Sequence, residues 1–86
     1  MLGLRVACEV KANISYKDTE IVDAFRLDML VEDLVIVELK VVEAVLPIHR
    51  AQLLTYLRCC NKKLGLLLNF HETLLKRGIV RIANKL

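Results

Sequence analysis

The sequence predicts an α/β fold: a small mixed sheet with one crossover helix, in the order strand, strand, strand, helix, strand. Three observations carry that prediction. Two apolar runs of strand character, "FRLDMLV" and "LVIVELKVV", flank a charged turn at Glu32 and Asp33, which is the pattern of a hairpin. Pro47 then opens the stretch "PIHRAQLLTYLRCC", in which Leu53, Leu57 and Cys60 fall on one helical face. A further apolar run, "KLGLLLNF", comes after that helix, so a strand–helix–strand crossover completes the order.

Each element has its own warrant. In "RVACEVKANISY", residues 5–16, Val6, Cys8, Val10, Ala12 and Ile14 share one parity, which predicts the first strand. "YKDTE" supplies a polar turn with Asp18 at its corner. The second strand covers residues 25–31 and the third 34–42. The third is apolar on both parities except at Glu38 and Lys40, as expected of a central strand covered on both faces. The helix starts at Pro47, where a missing N–H costs nothing, and ends near Asn61 and the lysines after it. His49, Gln52 and Tyr56 lie along one border of its apolar stripe. Residues 63–70 form a short buried strand. The tail breaks at Gly78, and "IVRIA" adds a last strand. There is no internal repeat, low-complexity segment or linker, so residues 1–86 are read as one domain.

Composition narrows the class further. Hydrophobic residues make up 56% of the chain, yet there are two Phe, two Tyr and no Trp, so the core must be aliphatic. That much apolar surface is hard to cover within one small chain, and a homodimer is expected. No charge-free run approaches the roughly 18 residues of a membrane span. Arg5 and Glu9 interrupt the N-terminus too early for a signal-peptide core. Cys8, Cys59 and Cys60 form neither a disulfide framework nor a CxxC pair, which fits free thiols in the cytoplasm. Charge is divided unevenly. Residues 1–43 carry five Lys/Arg against nine Asp/Glu, whereas residues 44–86 carry eight against one. An acidic half suited to a cation and a basic half suited to phosphates point toward nucleic acid.

The chemistry concentrates at Asp28, Glu38 and Lys40. Residues two apart on a strand share a face, so Glu38 and Lys40 project together. Asp28 joins them only in one hairpin register. A two-residue turn pairing 31 with 34 turns Asp28 away. A three-residue loop pairing 31 with 35, or a bulge, brings it opposite Glu38. Two carboxylates so placed in an apolar setting repel unless a cation lies between them, and a hard divalent ion, Mg²⁺ or Mn²⁺, suits their oxygens. Lys40 is then placed to serve an attacking water or to stabilise charge growing on a phosphate. The plainer alternative is a Glu38–Lys40 pair, with Asp28 in solvent.

The pattern of Asp28 followed by "ELK" on the next strand resembles the PD-(D/E)XK nuclease superfamily. More closely, "FRLDMLVEDLVIVELKVVEAVLPIHRAQLLTYLR" with "KLGLLLNF", the "SYKD" turn and "LKRGIVRI" is similar to the small bacterial GxxExxY proteins, over residues 4–82. The resemblance implies a restriction-endonuclease-like fold. It also implies Asp28 and Glu38 as metal ligands, helped by the carbonyl of Leu39, with Lys40 serving the attacking water. Gln52 and Tyr56 match the helix motif that supports such a site, and His49 is a weaker candidate. The family's N-terminal GxxExxY helix is expected to be missing, because no GxxExxY occurs in the chain and Glu9 is a poor substitute.

The expected function is therefore metal-dependent hydrolysis of nucleic acid, with Arg58, Lys62, Lys63, Lys76 and Arg77 neutralising backbone phosphates. The alternatives are a catalytically incomplete, nuclease-like dimeric module, or a protein that binds nucleic acid through its basic half without cutting it. No glycine-rich phosphate loop, Ser/His/Asp set or thiolate metal site supports another enzyme class.

Overall fold

Three strands rich in β-branched and apolar residues form an antiparallel meander in the first half of the chain. Strand β1 runs Val6–Tyr16, β2 Thr19–Val31 and β3 Val35–Lys40. The computed structural model describes residues 3–16, 19–71 and 78–85, with the backbone alone for 14–16 and 19–25. Helix α1, Pro47–Cys59, then crosses over to β4, Leu64–Asn69, which pairs parallel with β3. Strand β5, Ile79–Ala83, closes the sheet antiparallel to β4. The result is an α/β fold with a five-stranded mixed sheet in the order β1-β2-β3-β4-β5, of restriction-endonuclease type.

Two strand limits differ from expectation by more than one residue. β2 starts at Thr19 rather than Phe25, because a register shift between Ala12 and Ile14 lets it pair with β1 as far as Tyr16↔Thr19. β3 ends at Lys40 rather than Val42, because the backbone of Val42 is taken by a side chain of β4 instead of a strand partner. The corner expected at Asp18 lies outside the described residues.

The hairpin between β2 and β3 takes the longer of the two loops that the sequence allowed. Glu32 and Asp33 have φ of 54° and 57°, as in a primed turn, and the N–H of Leu34 donates to the carbonyl of Val31 at 3.0 Å. Leu34 is the extra residue, so Val31 pairs with Val35 and Met29 with Val37. The ladder stops at Met29↔Val37, and just beyond it side-chain bonds link Asp28 with Glu38 and with the N–H of Leu39.

Helix α1 is held at both ends by local chemistry. Its entrance is closed by His49, whose Nδ1 accepts the N–H of Leu46 at 2.9 Å, and by Pro47 in the first turn. Its exit is a Schellman motif with Asn61 at φ 57°: Lys62 donates to the carbonyl of Leu57 at 2.8 Å and Asn61 to that of Arg58 at 3.3 Å.

The helix lies on the sheet face that carries Ile36, Glu38 and Lys40. Their ladder partners on β4 are Gly65, Leu67 and Asn69, and a Cβ on Gly65 would meet the Leu53 side chain at 3.0 Å. Leu27, Ile36, Leu53, Leu57 and Leu67 make the aliphatic core, each almost wholly buried. Truncating such a residue to alanine costs about 2–5 kcal/mol, a large share of the stability of a chain this short. The opposite face carries Val37, which is buried, and Leu39 and Ile79, which are exposed. Among the described residues α1 is the only helix, so this second face has none upon it.

Candidate metal and hydrolytic site

The hairpin register decides the site. With Val31 opposite Val35, Asp28 and Glu38 meet across β2 and β3 on the face that α1 covers. The N–H of Leu39 donates to Asp28 Oδ2 at 2.8 Å, and the N–H of Asp28 approaches Glu38 Oε1 at 3.4 Å. Glu38 is 6% exposed, which makes it a buried carboxyl. Burial, and next the neighbouring charge of Asp28, push its pKa up to about 7, while Lys40 acts weakly in the opposite sense. A carboxyl so perturbed by desolvation and a like charge is a candidate functional position.

Lys40 does not neutralise this pair. Its Nζ donates to Gln52 Oε1 at 3.3 Å, and among the described residues it forms no ion pair with Asp28 or Glu38. The strand pair Glu38–Lys40 weighed from the sequence is thus replaced by a lysine tethered to the helix. Tyr56, one turn beyond Gln52, has its pKa raised by burial and then by the negative charges of Glu38 and Asp28, which sets its hydroxyl near the carboxylates. Gln52 also hydrogen-bonds that side chain. The fold therefore brings Asp28, Glu38, Lys40, Gln52 and Tyr56 to one place.

Backbone direction adds one more oxygen. The carbonyl of Lys40 accepts the N–H of Phe70, so Lys40 turns its backbone toward β4. By alternation Leu39 turns toward β2, where its N–H already bonds Asp28 and its carbonyl faces the same side. Two carboxylates and a carbonyl are hard oxygen donors of the kind Mg²⁺ or Mn²⁺ takes while keeping several waters. Glu9 stands across β1 from Asp28, but its φ of 51° breaks the ladder there and its side chain is exposed. Among the described residues no three of His, Cys, Asp and Glu gather as a metal cluster.

The other expected residues fall elsewhere. His49 caps α1. Lys62 Nζ donates to the carbonyl of Asp33 at 2.7 Å and to its Oδ1 at 3.3 Å, at the end of the sheet where β3 and β4 begin. Glu38 and Lys40 stand at the other end. Lys63 lies beside Lys62, and Arg58 is exposed on the last turn of α1. Lys76 and Arg77 lie outside the described residues.

One residue escaped the sequence reading. Asn69, 2% exposed, sits opposite Lys40 in the β3–β4 ladder and grips the backbone of Val42. The available signal was its parity. In "LGLLLN" it falls with Gly65 and Leu67, the buried set, where a polar amide needs partners.

A family model described as the PD-(D/E)XK nuclease superfamily matches residues 1–82. Neither the curated proteins nor the solved structures compared with the chain gave a match. Among the described residues no helix is long and apolar enough to cross a membrane.

Proposed function

We propose that this chain, which belongs to the PD-(D/E)XK nuclease superfamily, hydrolyses phosphodiester bonds of nucleic acid at Asp28, Glu38 and Lys40 with the help of Mg²⁺ or Mn²⁺. The observation that carries the reading is the carboxylate pair itself, a buried Glu38 facing Asp28 with no cation of the described chain between them. Asp28, Glu38 and the carbonyl of Leu39 would hold the ion. When bound, such an ion supplies charge for the phosphoryl oxygens and makes water a better nucleophile.

The chain's own groups then have distinct tasks. Glu38 would hold the ion as a carboxylate, having given up its proton. Lys40, steadied by Gln52, orients the attacking water or meets the negative charge that grows on the phosphate. Tyr56 supports the carboxylates from the helix side. Arg58, Lys63, Lys76 and Arg77 supply phosphate-neutralising charge, with Lys62 shared between that task and its bond to Asp33.

Kinship with the GxxExxY proteins is proposed on the run from Phe25 to Arg58 together with "KLGLLLNF". A homodimer is proposed as well, supported by Leu39 and Ile79 exposed on the sheet face that α1 leaves open. Free thiols at Cys8, Cys59 and Cys60 fit a cytoplasmic setting, and residues 1–86 are taken as one domain. The second reading, a nuclease-like module without cleavage, is favoured by the lack of a third acidic ligand among the described residues.

Cleavage of supercoiled, single-stranded and branched DNA, and of RNA, with Mg²⁺ or Mn²⁺ separates the two. Cation-dependent cutting that Lys40→Ala lowers about 10²- to 10⁴-fold supports the nuclease. Salt-sensitive binding that is indifferent to the cation, with no cutting of any substrate, supports the module.

A further inference from the structure

Lys40 is the last residue of β3, and the link after it, residues 41–46, carries the chain to the helix that bears Gln52. Nothing in the sequence of that link would make it rigid. Val41 and Leu46 are exposed, and no strand pairs with it among the described residues. Val45 packs on the core and Leu46 is held by His49 at the helix end of the link, whereas next to Lys40 its order comes from β4. Phe70 donates its N–H to the carbonyl of Lys40 at 2.8 Å. Two residues beyond Lys40, the Asn69 side chain grips Val42 from both sides, accepting its N–H at Oδ1 (3.0 Å) and donating Nδ2 to its carbonyl (2.8 Å). The same Oδ1 also accepts the N–H of His71 at 3.2 Å. Asn69 is itself fixed, because its N–H donates to the carbonyl of Gly78 at 2.7 Å, and a Cβ on Gly78 would collide with the Asn69 carbonyl.

We propose that Asn69 is a positioning residue. By clamping Val42 it fixes the exit of β3, and so holds the Lys40 ammonium in the place where Gln52 receives it. The inference rests on Lys40 as the cation that serves hydrolysis, and it assigns the control of its aim to β4. A built-in comparison exists at the other end of the sheet. Asn84, also buried, donates Nδ2 to the carbonyl of Lys62 at 3.1 Å and its N–H to the carbonyl of Lys63 at 2.8 Å. It too ties a backbone segment down, but far from Lys40.

Three readouts on Asn69→Ala and Asn84→Ala test the proposal: amide exchange at Val42, acylation of Lys40 by an amine-reactive ester scored by mass spectrometry, and steady-state cleavage. In Asn69→Ala the Val42 amide should exchange at least about 10-fold faster, and Lys40 should acylate about 3-fold faster. The kcat for cleavage should fall about 10- to 100-fold, with KM within about 3-fold. Asn84→Ala should leave all three near the wild-type values. Equal behaviour of the two alanine variants in exchange and acylation overturns the proposal and makes Asn69 a stabiliser like Asn84.

A wild-type chain that cuts nothing defeats the nuclease reading alone, since exchange and acylation still decide the clamp. Should Asn69→Ala not fold, Val42→Pro removes the same N–H from outside the core. Unchanged Lys40 acylation there overturns the proposal equally.

Discussion

The two ends of the sheet use the same three kinds of side chain to opposite effect. Where β3 and β4 begin, Asp33, Lys62 and Asn84 satisfy one another and the nearby backbone: the lysine bonds the aspartate, and the asparagine bonds the lysine's carbonyl. Where they finish, Asp28, Glu38, Lys40 and Asn69 do not close in that way. The lysine turns to Gln52, the asparagine to Val42, and two carboxylates are left facing each other with Glu38 buried. One end resolves its charges and ties loops together. The other keeps a conflict that an added cation would relieve, which is what separates a site from a pin.

The largest effect that sharpens this contrast is on lysines. Lys40→Ala should lower kcat for cation-dependent cleavage about 10²- to 10⁴-fold, whereas Lys62→Ala should leave kcat within about 3-fold and act on KM through the lost phosphate contact. Parallel steady-state kinetics on the two variants check this, and equal losses would erase the distinction between the ends.

A second effect concerns pH. Glu38 has a pKa of about 7 in the folded chain against 4.5 for the ordinary group, so the native state binds more protons than the unfolded state between those values. Stability contributed by this group is therefore fully present below about pH 4.5 and is lost as pH rises through 7, by roughly 3 kcal/mol without metal. Urea melts of metal-free protein at pH 5 and 8 should show the fall, and Glu38→Gln should flatten it. Mn²⁺ affinity should run the other way, about 10-fold stronger at pH 8 than at pH 6, because the cation must displace the proton.

The smallest effect lies at the pinned end. Asp33→Asn, which tolerates the positive φ, removes the charge from an exposed partner of Lys62 and should cost no more than about 1 kcal/mol. Thermal melts in low and high salt are the check, and metal affinity should not move.

Much of this was legible beforehand, and the rest was hidden for identifiable reasons. Pro47 and Asn61 marked the two ends of α1, and the apolar parity of "VIVELK" marked a central strand. The sequence also stated its own condition for the site, since Asp28 meets Glu38 only if 31 pairs with 35 or a bulge shifts the register. Turn composition could not choose between that loop and the shorter one. Two consecutive positive-φ residues and the extra Leu34 chose it. The partner of Lys62 was hidden because Asp33 lies 29 residues away across the crossover. Asn69 was hidden because a single amide at the end of an apolar strand looks like the strand's edge until the ladder sets it beside Lys40.

The most direct test is calorimetric titration of Mn²⁺ into the intact chain and into Asp28→Ala at pH 8, with circular dichroism confirming that the variant folds. The predicted result is one site per chain in the wild type and none in the variant. Absence of binding in the wild type, or equal binding in both, would contradict a metal site at Asp28 and Glu38.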